Sequence, residues 1–224
     1  MRERIVVINP NSTEACTQSI DAALEALRFA DGPDIDCVTM KEGPPGIQSQ
    51  RDSDSVIGPI CDYVHARGND AAAFVIACFS DPGLHAAREA TVRPVFGIAE
   101  SGYLAAMTRG DRFGVISILD SSVARHGRYV RQMGIAARSA GDRAIGLGVA
   151  ELSQEESVLT RMIEAGTALR DEDGADVLIL GCAGMAGFRA PLADALGLPI
   201  VEPTQAAVIA AMEHNDRNGD PKVV

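Results

Sequence analysis

FVIACFSDPGL (74–84) and LILGCAGMAGF (178–188) carry one pattern twice in a chain of 224 residues. Each begins as an apolar run, reaches a cysteine where the run stops, turns through a glycine, and ends on an apolar residue; Cys182 stands 104 positions after Cys78. A second pair keeps almost the same register. RPVFGIAESGYLAAM (93–107) lies over LPIVEPTQAAVIAAM (198–212), with Pro94 and Pro199, and Met107 and Met212, each 105 positions apart. A third, RIVVINPNS (4–12), lies over RFGVISILDSS (112–122). Three blocks in one order at nearly one period describe a chain built of two related halves.

Short apolar runs alternate with segments of helical period through both halves, the pattern of a parallel sheet flanked by helices. The expected class is α/β, with two pseudo-symmetric open parallel-sheet lobes of flavodoxin-like kind and the active site between them. Lobe 1 is expected to take 1–98 plus 204–224 and to carry Cys78; lobe 2 takes 99–203 and carries Cys182. Strands are predicted at 5–9, 35–40, 72–77, 95–98, 113–118, 144–149, 177–181 and 200–201. Predicted helices cover 53–67, 84–90, 100–109, 121–133, 154–172, 190–196 and 204–215. The first helix follows a cap at Ser12 or Thr13, with Ile20, Ala23, Leu24 and Leu27 on its buried face.

Composition removes several functions. The net charge is −11, and the basic residues are scattered singly, so no stripe exists to neutralise phosphates and no nucleic-acid partner is expected. The apolar run near the N-terminus is too short to export or anchor the chain, which predicts a cytoplasmic protein with no membrane contact. Five cysteines without a CxxC pair and four dispersed histidines fit neither a disulfide framework nor a zinc cluster, so no metal is expected. Lys41 and Lys222 are the only lysines, and no glycine-rich phosphate loop follows a strand; GLG at 146–148 lacks the third glycine. Pyridoxal phosphate, nicotinamide and nucleoside triphosphates are disfavoured, and the expected cofactor is none.

Cys78 and Cys182 each sit where a strand ends, the side of an open α/β sheet on which ligands bind. Free amides there favour a thiolate and are expected to move its pKa towards neutrality. Two such groups facing one carbon from opposite flanks suit racemisation: one removes a proton and the other returns one. Approach from both sides at about 3 to 3.5 Å places the sulfurs roughly 6 to 7 Å apart, too far for a disulfide. Cys16, Cys37 and Cys61 lack the matched placement and read as ordinary core thiols.

INPNS (8–12), GPPGIQSQRD (43–52), ACFSDPGL (77–84) with ARE (87–89), PVFGIAE (94–100) and LGCAGMA (180–186) resemble, in this order, blocks of the aspartate/glutamate/hydantoin racemase superfamily, and within it the hydantoin and allantoin racemases. The resemblance implies a cofactor-independent racemase with Cys78 and Cys182 as acid/base pair. Amino-acid racemases of the superfamily follow their cysteines with Asn-Thr and Thr; here Phe79-Ser80 and Ala183-Gly184 follow, implying a neutral ring such as a hydantoin or allantoin as substrate. Arylmalonate decarboxylases keep one of the two cysteines, so retention of both argues against that chemistry. Gln48 replaces an acidic residue usual after the isoleucine, which bears on substrate preference. The resemblance also suggests a homo-oligomer. The alternatives are an amino-acid racemase, or a non-catalytic small-molecule-binding or thiol redox protein.

Removing the C5 proton of a hydantoin puts charge on the neighbouring carbonyl oxygen, which calls for preorganised donors. The expected donors are the backbone amides of Phe79, Ser80, Ala183 and Gly184, with the hydroxyls of Ser80 and Ser117. Asn11 is expected to contact the ring, and Ile47 and Phe79 to form an apolar wall. His65, His85, His126 and His214 read as helical packing or surface residues, none catalytic.

Overall fold

The computed structural model describes residues 3–153 and 155–219. The predicted helix start at Gln154 and the last residues of the expected first lobe, 220–224, lie outside that range. Strands β1 (Arg4–Asn9), β2 (Asp34–Thr39), β3 (Ala73–Ile76) and β4 (Val95–Gly97) form one sheet, and β5 (Phe113–Ser117), β6 (Ser139–Ala144), β7 (Val177–Leu180) and β8 (Ile200–Val201) form another. Both are four-stranded and wholly parallel, in the orders β2-β1-β3-β4 and β6-β5-β7-β8, so the second repeats the first. The α/β class and the two pseudo-symmetric parallel sheets are as the sequence led us to expect.

Central strands β3 and β7 are buried at every residue, which their unbroken apolar runs require of a sheet covered on both faces. Helices α1 (Glu14–Ala23), α2 (Gln50–Ser55), α3 (Ile57–Arg67), α4 (Leu84–Ala90), α5 (Ile98–Met107), α6 (Asp120–Gln132), α7 (Glu155–Asp171), α8 (Arg189–Leu196) and α9 (Pro203–Gly219) supply the cover. Helix α9 returns to pack on α5 and on β3 and β4. One cluster runs through the middle of the molecule, joining Ile5 and Val7 of β1 to Val115 of β5 and Ile179 of β7 through Tyr103 of α5. Tyr103 is fully buried, with its ring 5.2 Å from Phe79 and 5.1 Å from Phe113. Truncating a buried aromatic of this kind costs about 3–5 kcal/mol, so the two sheets are held by packing rather than by a linker alone.

Three local expectations change. The sixth strand is SAGDRA (139–144), not 144–149; as an edge strand, half-buried throughout, it needs no apolar run, and Arg143 pairs outward with Asp173 and Glu172. The apolar stretch after it, 145–148, is irregular, with Ile145 buried, and leads into a short 3-10 segment, Val149–Ser153. The helix predicted over 53–67 starts at Gln50, where Ser49 and Asp52 form a capping box, and breaks at Val56. Thr13 occupies the cap position of α1, but its hydroxyl donates to the Pro45 carbonyl at 2.7 Å.

That bond is one of several that fold the 43–49 segment over the strand ends. The Ser12 amide donates to the Pro44 carbonyl at 3.0 Å, and a Cβ on Gly43 would stand 2.1 Å from the Pro10 carbonyl oxygen. Only glycine permits that approach.

Candidate active site

The carboxyl ends of the two central strands of each sheet converge on one cavity. Asn11 follows β1, Ala77 to Ser80 follow β3, Ile118 follows β5, and Gly181 to Ala183 follow β7. Ile47 and Val149 close it from the connecting segments, while α1 contributes Cys16 and α6 contributes Ser122, Arg125 and His126. Its volume is about 30 Å³, room for about one water. A larger cavity of about 390 Å³ adjoins it and shares Ser80, Arg125 and His126 as lining.

The 43–49 segment is clasped to the other sheet's helix across this cavity. Ser121 Oγ donates to the Gln48 carbonyl at 2.8 Å and Arg125 Nη1 at 3.0 Å, while Arg128 Nη2 donates to Gln50 Oε1 at 2.9 Å. Gln48 itself does not line the cavity; its side-chain amide lies beside Gly148.

Cys78 and Cys182 are free thiols, each half-buried and lining the same cavity. Cys78 is not at a helix start. It opens a tight turn in which the amides of Ser80 and Asp81 donate to its carbonyl at 2.8 and 2.9 Å. Cys182 precedes a 3-10 turn, Ala183–Phe188. The expected shift towards neutrality is reversed in the closed molecule. Burial pushes the Cys78 thiol up to about 12, helped by the negative charge of Asp81 and opposed by the Ser80 amide and Arg125. Cys182 is also raised, by burial and then by Cys16 and Cys78, with only the Gly184 amide pulling it down. Desolvation of a small apolar chamber outweighs the few amides present.

Asp81 holds the Cys78 turn in place. Its backbone is left-handed, φ 43°, and its carboxylate accepts from the amides of Ala99 and Glu100 at 2.9 and 2.8 Å and from Tyr129 Oη at 2.7 Å. It therefore caps α5 from outside. At the matching start of α9, Glu202 caps its own helix, accepting from the amides of Thr204 and Gln205 at 2.9 and 2.6 Å.

A family model described as Asp/Glu/Hydantoin racemase matches residues 5–211. The chain belongs to this family. The hydantoin racemase of Paenarthrobacter aurescens is 38% identical over 208 residues, which span 91% of this chain and 87% of that one. Among solved structures, the allantoin racemase from Klebsiella pneumoniae superposes with a TM-score of 0.90 at 32% identity, over 97% of this chain and 89% of that one. The allantoin racemase from Pseudomonas fluorescens gives 0.89 at 29% identity, over 96% and 92%. The protein is thus a racemase, an enzyme of the isomerase class.

In this racemase the residues singled out from sequence divide into two groups. Asn11, Ile47, Cys78, Phe79, Ser80, Cys182 and Ala183 all line the cavity. Gly184 lines a neighbouring one between α1 and the 3-10 turn, and Ser117 lines neither. Ser117 is fully buried, donating to Asp142 Oδ1 at 2.5 Å and lying 3.1 Å from His126 Nδ1, so its hydroxyl is spent inside the fold rather than offered to a ligand. The Ser80 amide is likewise engaged by its own turn. Asn11 Oδ1 accepts from the Thr13 amide at 2.9 Å, leaving its Nδ2 on the cavity side, 3.7 Å from Cys16 Sγ.

Of the other lining residues, four bring a thiol, a hydroxyl or a charge that the sequence does not assign to the site: Cys16 reads as core, His126 as packing, and Ser122 and Arg125 belong to no motif. His126 Nδ1 bonds Asp142 Oδ2 at 2.8 Å, and its ring stands edge-on to Phe79 at 5.0 Å. The available signal was helical spacing: 122, 125 and 126 share the face of α6 that Val130 continues into the core. Among the described residues, no group of three His, Cys, Asp or Glu side chains is arranged to hold a metal, and no helix is long and apolar enough to cross a membrane.

Proposed function

We propose that the protein racemises 5-substituted hydantoins or allantoin by a two-thiol mechanism that needs no cofactor. The observation that carries this reading is the placement of Cys78 and Cys182, one from each repeated half, as free thiols lining one small cavity. Family membership and the names of the most similar relatives support the substrate class.

One sulfur, as thiolate, takes the C5 proton; the C–H bond breaks, an S–H bond forms, and the electron pair moves onto the adjacent carbonyl oxygen. The opposed thiol then gives its proton to the other face, the carbonyl is restored, and the charge rests on the second sulfur. Amides of Phe79 and Ala183, one residue past each cysteine and outside the turn bonds described above, are the donors for the oxygen. The Asn11 amide group holds a ring carbonyl, and Ile47 and Phe79 pack the 5-substituent. Ser80 contributes through its hydroxyl, and Gly184 through its amide on the Cys182 sulfur. The lobe limits 1–98 plus 204–224 and 99–203, a homo-oligomeric form and a cytoplasmic location belong to the same reading.

The test is decay of optical rotation with L- and D-5-substituted hydantoins and with (S)-allantoin, without added metal or cofactor. Cys78→Ser and Cys182→Ser should each fall by about 10²–10⁴-fold. Deuterium from solvent should appear at C5 of the product. Variants with wild-type rates would overturn the mechanism, and racemisation of free aspartate or glutamate but of no ring would overturn the substrate class.

A further inference from the structure

Arg125 is a buried cation without a counter-ion. It is 8% exposed, and among the described residues no carboxylate stands within ion-pair distance of it. Its Nη1 donates to the carbonyls of Gln48 and Ser121 at 3.0 and 3.1 Å and its Nη2 to Ser122 Oγ at 3.1 Å, whereas its Nε, wholly enclosed, has no partner. Asp52 acts on it at longer range, its own carboxylate being taken by the amides of Gln48 and Ser49. A buried charge left this way is costly unless an opposite charge comes to it. The cavity that Arg125 lines contains two groups able to become anions during the reaction, Cys78 and Cys182.

The halves are unequal in this respect. Around Cys78 the charged or titratable neighbours are Asp81 in its own turn, Arg125 and His126 from α6, Cys16 from α1, and Cys182. Arg125 and His126 line the cavity beside Cys182 and its other neighbours Cys16 and Cys78, but α6 is tied to the Cys78 turn, with Tyr129 donating to Asp81 and His126 edge-on to Phe79, and the pull of the guanidinium falls on Cys78 and not on Cys182. The helix of the first half that faces the cavity brings a thiol, and the helix of the second half brings a guanidinium.

Resting on the racemase reading, we propose that Arg125 is a positioning residue that serves as fixed counter-ion to the Cys78 sulfur, so that when the pair ionises the negative charge settles on Cys78 and the proton stays on Cys182. A turnover that begins there leaves the charge on Cys182, and the attraction of Arg125 draws it back to Cys78 as the proton returns. Because the two enantiomers are equally stable, kcat/KM must stay equal for both; the asymmetry shows in the thiols themselves.

The test is iodoacetamide alkylation across a pH series, read at each cysteine by mass spectrometry so that Cys16 is scored separately. In the wild type, Cys78 should react before Cys182 at neutral pH. Arg125→Met should slow Cys78 alkylation at pH 7 by about tenfold or more, since one pKa unit is a factor of ten in thiolate. Cys182 should change by less than about threefold, and Arg125→Lys should restore most of the Cys78 rate. The proposal is overturned if Cys182 reacts first in the wild type, a result that needs no variant to fold. It is equally overturned if Arg125→Met raises KM for the hydantoin while the Cys78 profile stays put, which would make Arg125 a substrate ligand. A protein that shows the expected thiol order but racemises nothing would retain the counter-ion and lose the racemase reading.

Discussion

The carboxylate of Asp81 fills the space that a side chain on Gly97 would need: a Cβ there would lie 2.2 Å from its carboxyl carbon. The two positions work as one unit, since Gly97 stands at the cap of α5 without a capping side chain and Asp81 supplies the missing acceptor. In the second half the matching position is Glu202, which provides the acceptor directly. The borrowed cap ties the Cys78 turn to α5 and, through Tyr129, to α6.

Gly97→Ala should therefore displace Asp81 and disturb both the helix and the Cys78 turn. We expect a loss of about 2–4 kcal/mol, combining an uncapped helix with buried unsatisfied amides, and racemisation reduced more than tenfold. Urea unfolding and optical rotation measure the two; an unchanged midpoint would disprove the coupling.

The acidity of Asp81 gives a pH signature. Burial pushes its carboxyl up to about 6, against the pull of the Glu100 amide, Tyr129 and the Ala99 amide. A folded-state pKa above the unfolded one means that the native protein binds this proton more tightly, so the group favours folding below its unfolded pKa and loses that contribution as pH rises through 6. The stability of the wild type relative to Asp81→Asn should thus increase by about 1 kcal/mol between pH 7 and pH 5. A difference that is flat, or that grows towards alkaline pH, contradicts the assignment.

Ser117 and Asn11 should separate cleanly in kinetics. Ser117→Ala removes a bond to Asp142 inside the fold and should cost about 1 kcal/mol of stability while KM stays within about twofold. Asn11→Ala faces the cavity and should raise KM by about tenfold, the worth of one buried hydrogen bond. Equal effects on KM would return Ser117 to the substrate.

Ile47 is 6% exposed and contributes one wall of the cavity. Ile47→Ala should cost about 2–4 kcal/mol and widen the chamber, shifting kcat/KM towards hydantoins with bulkier 5-substituents. The comparison of 5-methyl with 5-benzyl hydantoin measures it, and an unaltered ratio would remove Ile47 from specificity.

Where the chemistry depends on period and repeat, the sequence was readable. The matched cysteines, the parallel sheets and the cavity position of Asn11 and Phe79 follow from residues that recur or that sit at strand ends, whereas Ile47 lies in the connecting segment after β2 and is marked only by the block GPPGIQSQRD. What stayed hidden depends on tertiary closeness. An edge strand such as SAGDRA carries no apolar signal, so the neighbouring apolar run attracted the assignment. Ser117 looked available because its partner Asp142 lies 25 residues away on the adjacent strand. Arg125 looked like any surface arginine on a polar helix, and only the packing of α6 against the strand ends makes it an interior charge. The thiol acidity is hidden for the same reason: amides can be counted along a chain, whereas desolvation depends on what surrounds the sulfur.

The clasp between Gln48 and the Ser121–Arg125 pair ties the segment carrying Ile47 to the helix of the second half, beside the small chamber. On the two-thiol reading proposed above, a ring held there would meet both sulfurs with scarcely any solvent around it, and its handedness would be erased without recourse to bulk water.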